Sequence, residues 1–165
     1  MVAIPRGEFL IGCLSDSHGH LDPRALELFD GRVDHIVHAG DVGSSGEVAD
    51  LEAIAPLTVV RGNTDPPFLG IDLPLRATLE LGGTRVCVVH QPSELDSWEL
   101  PSDATVVISG HTHRPSIVRR DWRLYLNPGS VYRPRGPEGR TVALLRLSDG
   151  AADARIVALD SLARE

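Results

Sequence analysis

Seven residues of this chain carry the donor atoms of metal ligands, and they fall at five similar places. The apolar run Phe9–Leu14 leads into Asp16 and His18, His35–Ala39 into Gly40 and Asp41, and Leu57–Val60 into Gly62 and Asn63. Val86–Val89 leads into His90, and Thr105–Ile108 into Gly110, His111 and His113. The set offers two carboxylates, one amide oxygen and four imidazoles, more than one tetrahedral ion takes. Oxygen and nitrogen donors without thiolate suit Mn²⁺, Fe, Zn²⁺ or Ni²⁺ rather than Ca²⁺ or a structural cysteine site. Two ions sharing a carboxylate, roughly 3.5–4 Å apart, form a clamp for in-line displacement at phosphorus. They lower the pKa of a bridging water and neutralise the phosphoryl oxygens.

Any one of these pieces has an ordinary explanation. Asp16 and His18 alone read as a turn acid and a surface histidine, and His90 alone as a core histidine. Their recurrence at successive strand ends is what carries the reading. In an α/β fold the carboxyl ends of neighbouring strands meet at one edge of the sheet, so a single site gathering all five loops is expected. Gly40, Gly62 and Gly110 each stand directly before a ligand, where they permit a sharp turn and close backbone approach. His111 and His113, two apart, project to the same side if the chain there is extended.

The elements needed to position these residues are legible. Phe9–Ser15 reads as a buried strand. Asp22 and Pro23 open a helix as N-cap and first helical residue, and Gly31 stops it after Asp30. His35–Ala39 is a second strand. Ser45 is the expected cap of a helix over Gly46–Ala55, whose face is Val48, Leu51, Ile54 and Ala55. Leu57–Arg61 follows, completing a βαβαβ start that favours parallel strands. After a Pro- and Gly-rich loop over Thr64–Pro74, strands Arg76–Leu81 and Thr84–His90 flank the hairpin signal Gly82-Gly83. A short helix is expected around Ser93–Trp98, then a buried strand Thr105–Ser109. Two more hairpins are expected, one around Arg120-Asp121-Trp122 and one around Ser148-Asp149-Gly150. A parallel start with antiparallel additions predicts an α/β fold: a mixed sheet, or two packed mixed sheets with helices outside.

Composition narrows the function. With 165 residues, 42% hydrophobic and 24% charged, the chain reads as a single domain with an ordinary core. A net charge of −7 argues against a general nucleic-acid or membrane-surface binder. All 16 basic side chains are arginine, which excludes a Walker-type lysine and any Schiff-base enzyme. No run approaches the ~20 apolar residues of a membrane span. The first residues lack a signal-peptide pattern, so the cytoplasm is the expected location. Cys13 and Cys87 lie in apolar runs and read as buried free thiols.

At this point the residues resemble a known family. The order Asp-x-His, Gly-Asp, Gly-Asn, His, Gly-His-x-His is similar to that of the calcineurin-like metallophosphoesterases. Ser15-Asp16-Ser17-His18-Gly19 and Leu126-Asn127-Pro128-Gly129-Ser130 look like the small bacterial and archaeal phosphodiesterase branch, which is related to vacuolar protein sorting protein 29. The resemblance implies two mixed sheets packed face to face and flanked by helices, a four-layer sandwich. It implies one ion on Asp16, His18, Asp41 and His113, and a second on Asp41, Asn63, His90 and His111, with Asp41 bridging. Asn63 would also face the phosphate. Manganese is the first expectation for both ions, with nickel, iron, zinc or magnesium as the others. The implied chemistry is attack of a metal-bridging hydroxide on a small phosphodiester or nucleotide-like substrate. A homo-oligomer is common among similar proteins. The alternative is a protein-interaction scaffold of the retromer-subunit type with a vestigial metal site.

Two departures from the family pattern stand out. Many members have a histidine after Gly-Asn that helps the leaving group depart, whereas this chain has Thr64, whose hydroxyl is no general acid near neutral pH. After His90 the chain has Gln91-Pro92 where Gly-His is frequent. Among the arginines of the last third, Arg114 and Arg133 are the two expected near the cleft as substrate contacts. His38 reads either as a hydrogen-bonding support of the site or as a buried structural group. His20 reads as loop surface, with an approach to the site to supply the missing acid as the alternative, and His35 as structural or exposed.

Overall fold

The computed structural model describes residues 7–66 and 72–162. Among these residues ten strands form two five-stranded sheets. The first contains β1 (Phe9–Leu14), β2 (His35–His38), β3 (Leu57–Val59), β9 (Thr141–Ser148) and β10 (Ala151–Ala158) in the order β10-β9-β1-β2-β3. The second contains β4 (Arg76–Leu81), β5 (Thr84–Val89), β6 (Ala104–Ile108), β7 (Ser116–Arg120) and β8 (Arg123–Asn127) in the order β4-β5-β6-β8-β7. The first sheet is parallel from β1 to its β3 edge and antiparallel on the β9–β10 side, and the second has a parallel centre with an antiparallel strand on each flank. β1, β2 and β3 run parallel in one, β5, β6 and β8 in the other. Both sheets are therefore mixed, as the change from crossovers to hairpins in the sequence requires.

The apolar runs are continuous because most central strands are covered on both faces. Alternation divides their residues. Ile11 and Cys13, Val86 and Val88, Val106 and Ile108, and Ala143, Leu145 and Leu147 meet in the core between the sheets. The alternate residues Leu14, Ile36, Val142 and Leu144 turn outward onto α1 (Pro23–Phe29) and α2 (Ser45–Glu52), which supply Ala25, Leu28, Phe29 and Leu51. Cys87 and Val107 turn outward from the second sheet and are covered by Leu95, Trp98 and Leu100. Of these, Leu95 lies in a 3₁₀ segment, Pro92–Asp96, that stands in place of the helix expected at Ser93–Trp98.

Asp22 caps α1 as expected, its carboxylate accepting from Arg24 N–H, and Gly31 adopts φ 73° just beyond the end. α2 differs by a residue. Ser44, not Ser45, is the cap, accepting from Glu47 N–H, and the helix ends at Glu52. The expected loop Thr64–Pro74 lies in part outside the described residues. Cys13 and Cys87 are free and buried. Among the described residues no helix is long and apolar enough to cross a membrane.

Candidate metal centre

The parallel strands of both sheets end at one place. Asp16 follows β1, Asp41 follows β2 and Asn63 follows β3; His90 follows β5, and His111 and His113 follow β6. The gathering edge thus belongs to two packed sheets, three loops coming from one and two from the other. The two packed mixed sheets that the resemblance implies share this edge.

The backbone at these loops is unusual. Seven described non-glycine residues have positive φ, and five of them are Asp16, His18, Asp41, His111 and His113. The other two, Asp121 and Asp149, sit in hairpin turns. The expected extended geometry at His111 and His113 is not found, since both lie in the left-handed region at φ 72° and 59°. Each such residue costs about 1–3 kcal/mol and persists only where surrounding contacts fix it. Those contacts include Asp16 N–H to Gly40 O at 2.9 Å and His18 N–H to Asp41 O at 2.9 Å, which lace the first two loops together. Gly62 is required for space, because a Cβ there would collide with the Asp41 carboxylate.

The side chains then converge. Asp16, His18 and His113 each present a donor atom within 4.8 Å of the others, and so do Asp16, Asp41 and His90. Asp41 Oδ2 lies 3.2 Å from His90 Nε2 and 3.7 Å from His18 Nε2. Asn63 Oδ1 lies 2.9 Å from His90 Nε2 and 3.1 Å from His111 Nδ1. All seven ligand candidates are therefore brought together. Two of the imidazoles have their tautomer fixed. His90 Nδ1–H donates to Ala39 O at 2.7 Å and His113 Nδ1–H to Arg133 O at 2.6 Å, since a carbonyl only accepts. Each is left with an Nε2 lone pair aimed into the cluster, the arrangement that suits a metal-binding histidine.

The buried Asp16 Oδ1 decides whether this cluster suits a cation. It has no hydrogen-bond partner among the described residues, yet His113 Nε2 lies 3.4 Å away and His90 Nε2 3.8 Å away. A buried carboxylate oxygen without a donor is costly, and a divalent ion between it and the imidazoles removes that cost. Without an ion the charges couple to protons. Burial disfavours ionised Asp41, but the His90 ring and the Thr64 N–H at 2.9 Å outweigh it and hold its carboxyl well below the usual range. Burial likewise opposes protonated His90, while Asp41 and Asp16 raise its pKa above the ordinary value. Asp16 beside His113 raises that group too, against its partial burial.

Behind the ligands runs a buried polar layer that only part of the sequence reading anticipated. Gly40 N–H donates to His38 Nδ1 at 3.1 Å, so the proton is on Nε2, which faces Ser17 Oγ at 2.8 Å. The Ser17 hydroxyl donates to Glu47 of α2, and His38 Nε2 is 3.3 Å from the same carboxylate. His38 therefore supports the site, with Ser17 and Glu47 as partners that no local pattern revealed. Asp65 accepts from the N–H groups of Val42, Gly43 and Gly62 and ties two ligand loops together. Asn127 Nδ2 donates to Gly110 O at 3.0 Å, and Ser130 Oγ to Asp16 O at 2.7 Å. The Asn-Pro-Gly-Ser phrase is thus a brace for two ligand loops.

The cluster opens into a cleft of about 800 Å³ whose lining includes His18, Asn63, Thr64, Tyr132, Arg133 and Arg135. Arg133 is where the sequence suggested, whereas Arg114 is exposed and outside that lining. His20, read as loop surface, is exposed but lines the cleft. His35 is half-buried against Thr58.

Residues 9–150 match the calcineurin-like phosphoesterase superfamily domain. A probable metallophosphoesterase of Methanothermobacter thermautotrophicus is 36% identical over 161 residues, covering 90% of this chain and 91% of the relative. A predicted phosphoesterase from Streptococcus pneumoniae is similar in structure, with a TM-score of 0.75 and 27% identity over 93% of this chain and 91% of that one. Vacuolar protein sorting 29 from Cryptosporidium parvum shares the fold, with a TM-score of 0.70 and 20% identity over 91% of this chain and 97% of that one.

Proposed function

Because the chain belongs to the calcineurin-like phosphoesterase superfamily, we propose that it is a phosphodiesterase that works with two divalent metal ions, manganese first among them. The carrying observation is the orphaned Asp16 Oδ1 facing the Nε2 atoms of His113 and His90. One ion would be held by Asp16, His18, Asp41 and His113, the other by Asp41, Asn63, His90 and His111. When bound, the two ions supply an activated water and the charge that neutralises the phosphoryl oxygens.

The protein's own residues do the rest. Asp41 Oδ2 lies near one histidine of each proposed set, His18 at 3.7 Å and His90 at 3.2 Å, and Thr64 N–H holds its Oδ1 at 2.9 Å so that Oδ2 stays turned toward them. Asn63, exposed in the cleft lining, would orient a phosphate oxygen through its amide. Arg133 and Arg135 in the cleft wall supply positive charge for the phosphodiester anion. Arg114 contributes only to the general field, from outside the lining. Thr64 Oγ lies 3.5 Å from His18 Nδ1 and cannot protonate a departing alkoxide. Small phosphodiesters with good leaving groups are therefore the favoured substrates.

A scaffold of the vacuolar protein sorting 29 type is the second reading, favoured by Thr64 and by the shared fold. Hydrolysis of an activated aryl phosphodiester, with and without Mn²⁺, separates the two. The enzyme reading expects Mn²⁺-dependent turnover that Asp41→Asn reduces at least a hundredfold. No turnover with Mn²⁺ or Ni²⁺, or equal rates in both proteins, would leave the scaffold.

A further inference from the structure

His20 and Tyr132 come from different loops yet stack face to face, with ring centroids 4.2 Å apart and planes inclined by 16°. The Arg133 guanidinium lies 5.2 Å from the Tyr132 ring centroid. Both rings line the cleft over the metal ligands, and both also border a neighbouring groove of about 1150 Å³ that contains Arg24 and Arg140. The stack is therefore a ridge at the mouth of the site, and His20 on it is exposed to solvent.

Its position is fixed relative to the ligands. His20 N–H donates to Ser17 O at 2.8 Å, on the segment between Asp16 and His18. Tyr132 N–H and Arg133 N–H donate to Ser130 Oγ at 3.1 and 2.8 Å. The Arg133 carbonyl receives the His113 Nδ1 proton, and Arg135 N–H donates to His113 O at 3.0 Å. A mobile surface pair would not need these attachments. The exposed His20 ring, backed by the half-buried Tyr132, offers its outer face beside a phosphate site, the geometry by which flat rings on nucleotides and aryl esters are held.

We propose that His20 and Tyr132 form an aromatic platform that binds the planar ring of an aryl or nucleoside phosphodiester beside the metal centre. This rests on the phosphodiesterase reading for the role of the site and gives that reading a substrate class. The preference comes from stacking, which any aromatic ring at position 20 supplies, and not from the histidine's ring nitrogens.

The test is equilibrium binding to the Mn²⁺-loaded protein, measured by calorimetry with methyl phosphate, phenyl phosphate and thymidine 5′-monophosphate. The wild type is expected to bind the two ring-bearing ligands about tenfold more tightly than methyl phosphate. His20→Ala should abolish that ratio, and His20→Phe should keep it. Equal binding of all three ligands by the wild type overturns the platform, as does His20→Phe behaving like His20→Ala. A phenyl advantage alone assigns aryl esters, and a larger thymidine advantage assigns nucleoside esters. Ring-dependent binding without turnover would sink the enzyme reading and keep the platform; turnover without ring discrimination would do the reverse.

Discussion

Asp16 Oδ1 and His113 Nε2 face each other at 3.4 Å, the oxygen buried without a hydrogen bond and the nitrogen opposite one that donates to Arg133 O. The pair is arranged for a cation, and it comes from strands of two different sheets. An ion bound there cross-links the sheets at their common edge. At an ion concentration a hundredfold above its dissociation constant, binding stabilises the fold by about 2.7 kcal/mol. For a domain of this size that raises Tm by roughly 5–10 °C. Asp16→Asn should lose most of this rise in a thermal melt with Mn²⁺. A full rise in the variant would place the ion elsewhere.

Acid–base behaviour follows from the same cluster. In metal-free protein His90 and His113 have pKa values raised above the ordinary 6.5. A raised value means that the fold favours the protonated imidazole. The stabilisation is complete below pH 6.5 and fades as pH rises through the raised values. Asp41 has the opposite sign: its lowered pKa contributes stability above the ordinary carboxylate range, lost as pH falls through the lowered value. Chelator-treated protein should therefore melt lower at alkaline than at neutral pH, and His113→Gln should flatten that slope. An unchanged slope in the variant would remove His113 from this account.

Two glycine substitutions should behave oppositely. Gly62→Ala drives a methyl into the Asp41 carboxylate, so metal-dependent stabilisation should fall sharply. Gly46 lies in α2 with open space around it, so Gly46→Ala should raise stability by up to about 1 kcal/mol and leave metal binding alone. Urea unfolding with and without Mn²⁺ reads both. Full metal stabilisation in Gly62→Ala would contradict the close approach of the two loops.

Glu47 accepts the Ser17 hydroxyl in a place closed to solvent, with His38 alongside. Glu47→Leu leaves Ser17 and the His38 Nε2 proton without this partner, at a cost of about 1–3 kcal/mol in urea unfolding. Because Ser17 lies between Asp16 and His18, Mn²⁺ affinity should also drop, by roughly 10–100-fold. A variant with reduced stability but unchanged affinity would make the layer a packing feature only.

The ligand candidates were legible because each follows an apolar run, and a strand end is a local feature. Strand alternation and hairpin signals likewise marked most elements, since they depend on near neighbours. The capping residue of α2 was misread by one position because Ser44 and Ser45 are chemically alike, and only the backbone angles and the Glu47 N–H distinguish them. Arg114 and Arg133 looked equivalent next to their motifs, yet only Arg133 lines the cleft.

The sequence by itself determined the donor chemistry, the succession of elements along the chain and the absence of a histidine after Asn63. Tertiary structure alone decided that two sheets share the edge, that five ligand candidates take left-handed backbone, and that Ser17, Glu47, Asp65 and Asn127 brace them. It also set His20 against Tyr132, 112 positions away in the chain. The physical reason is range. Side-chain type and strand periodicity act over a few residues, whereas hydrogen bonds between loops and ring stacking across a cleft depend on how the two sheets pack.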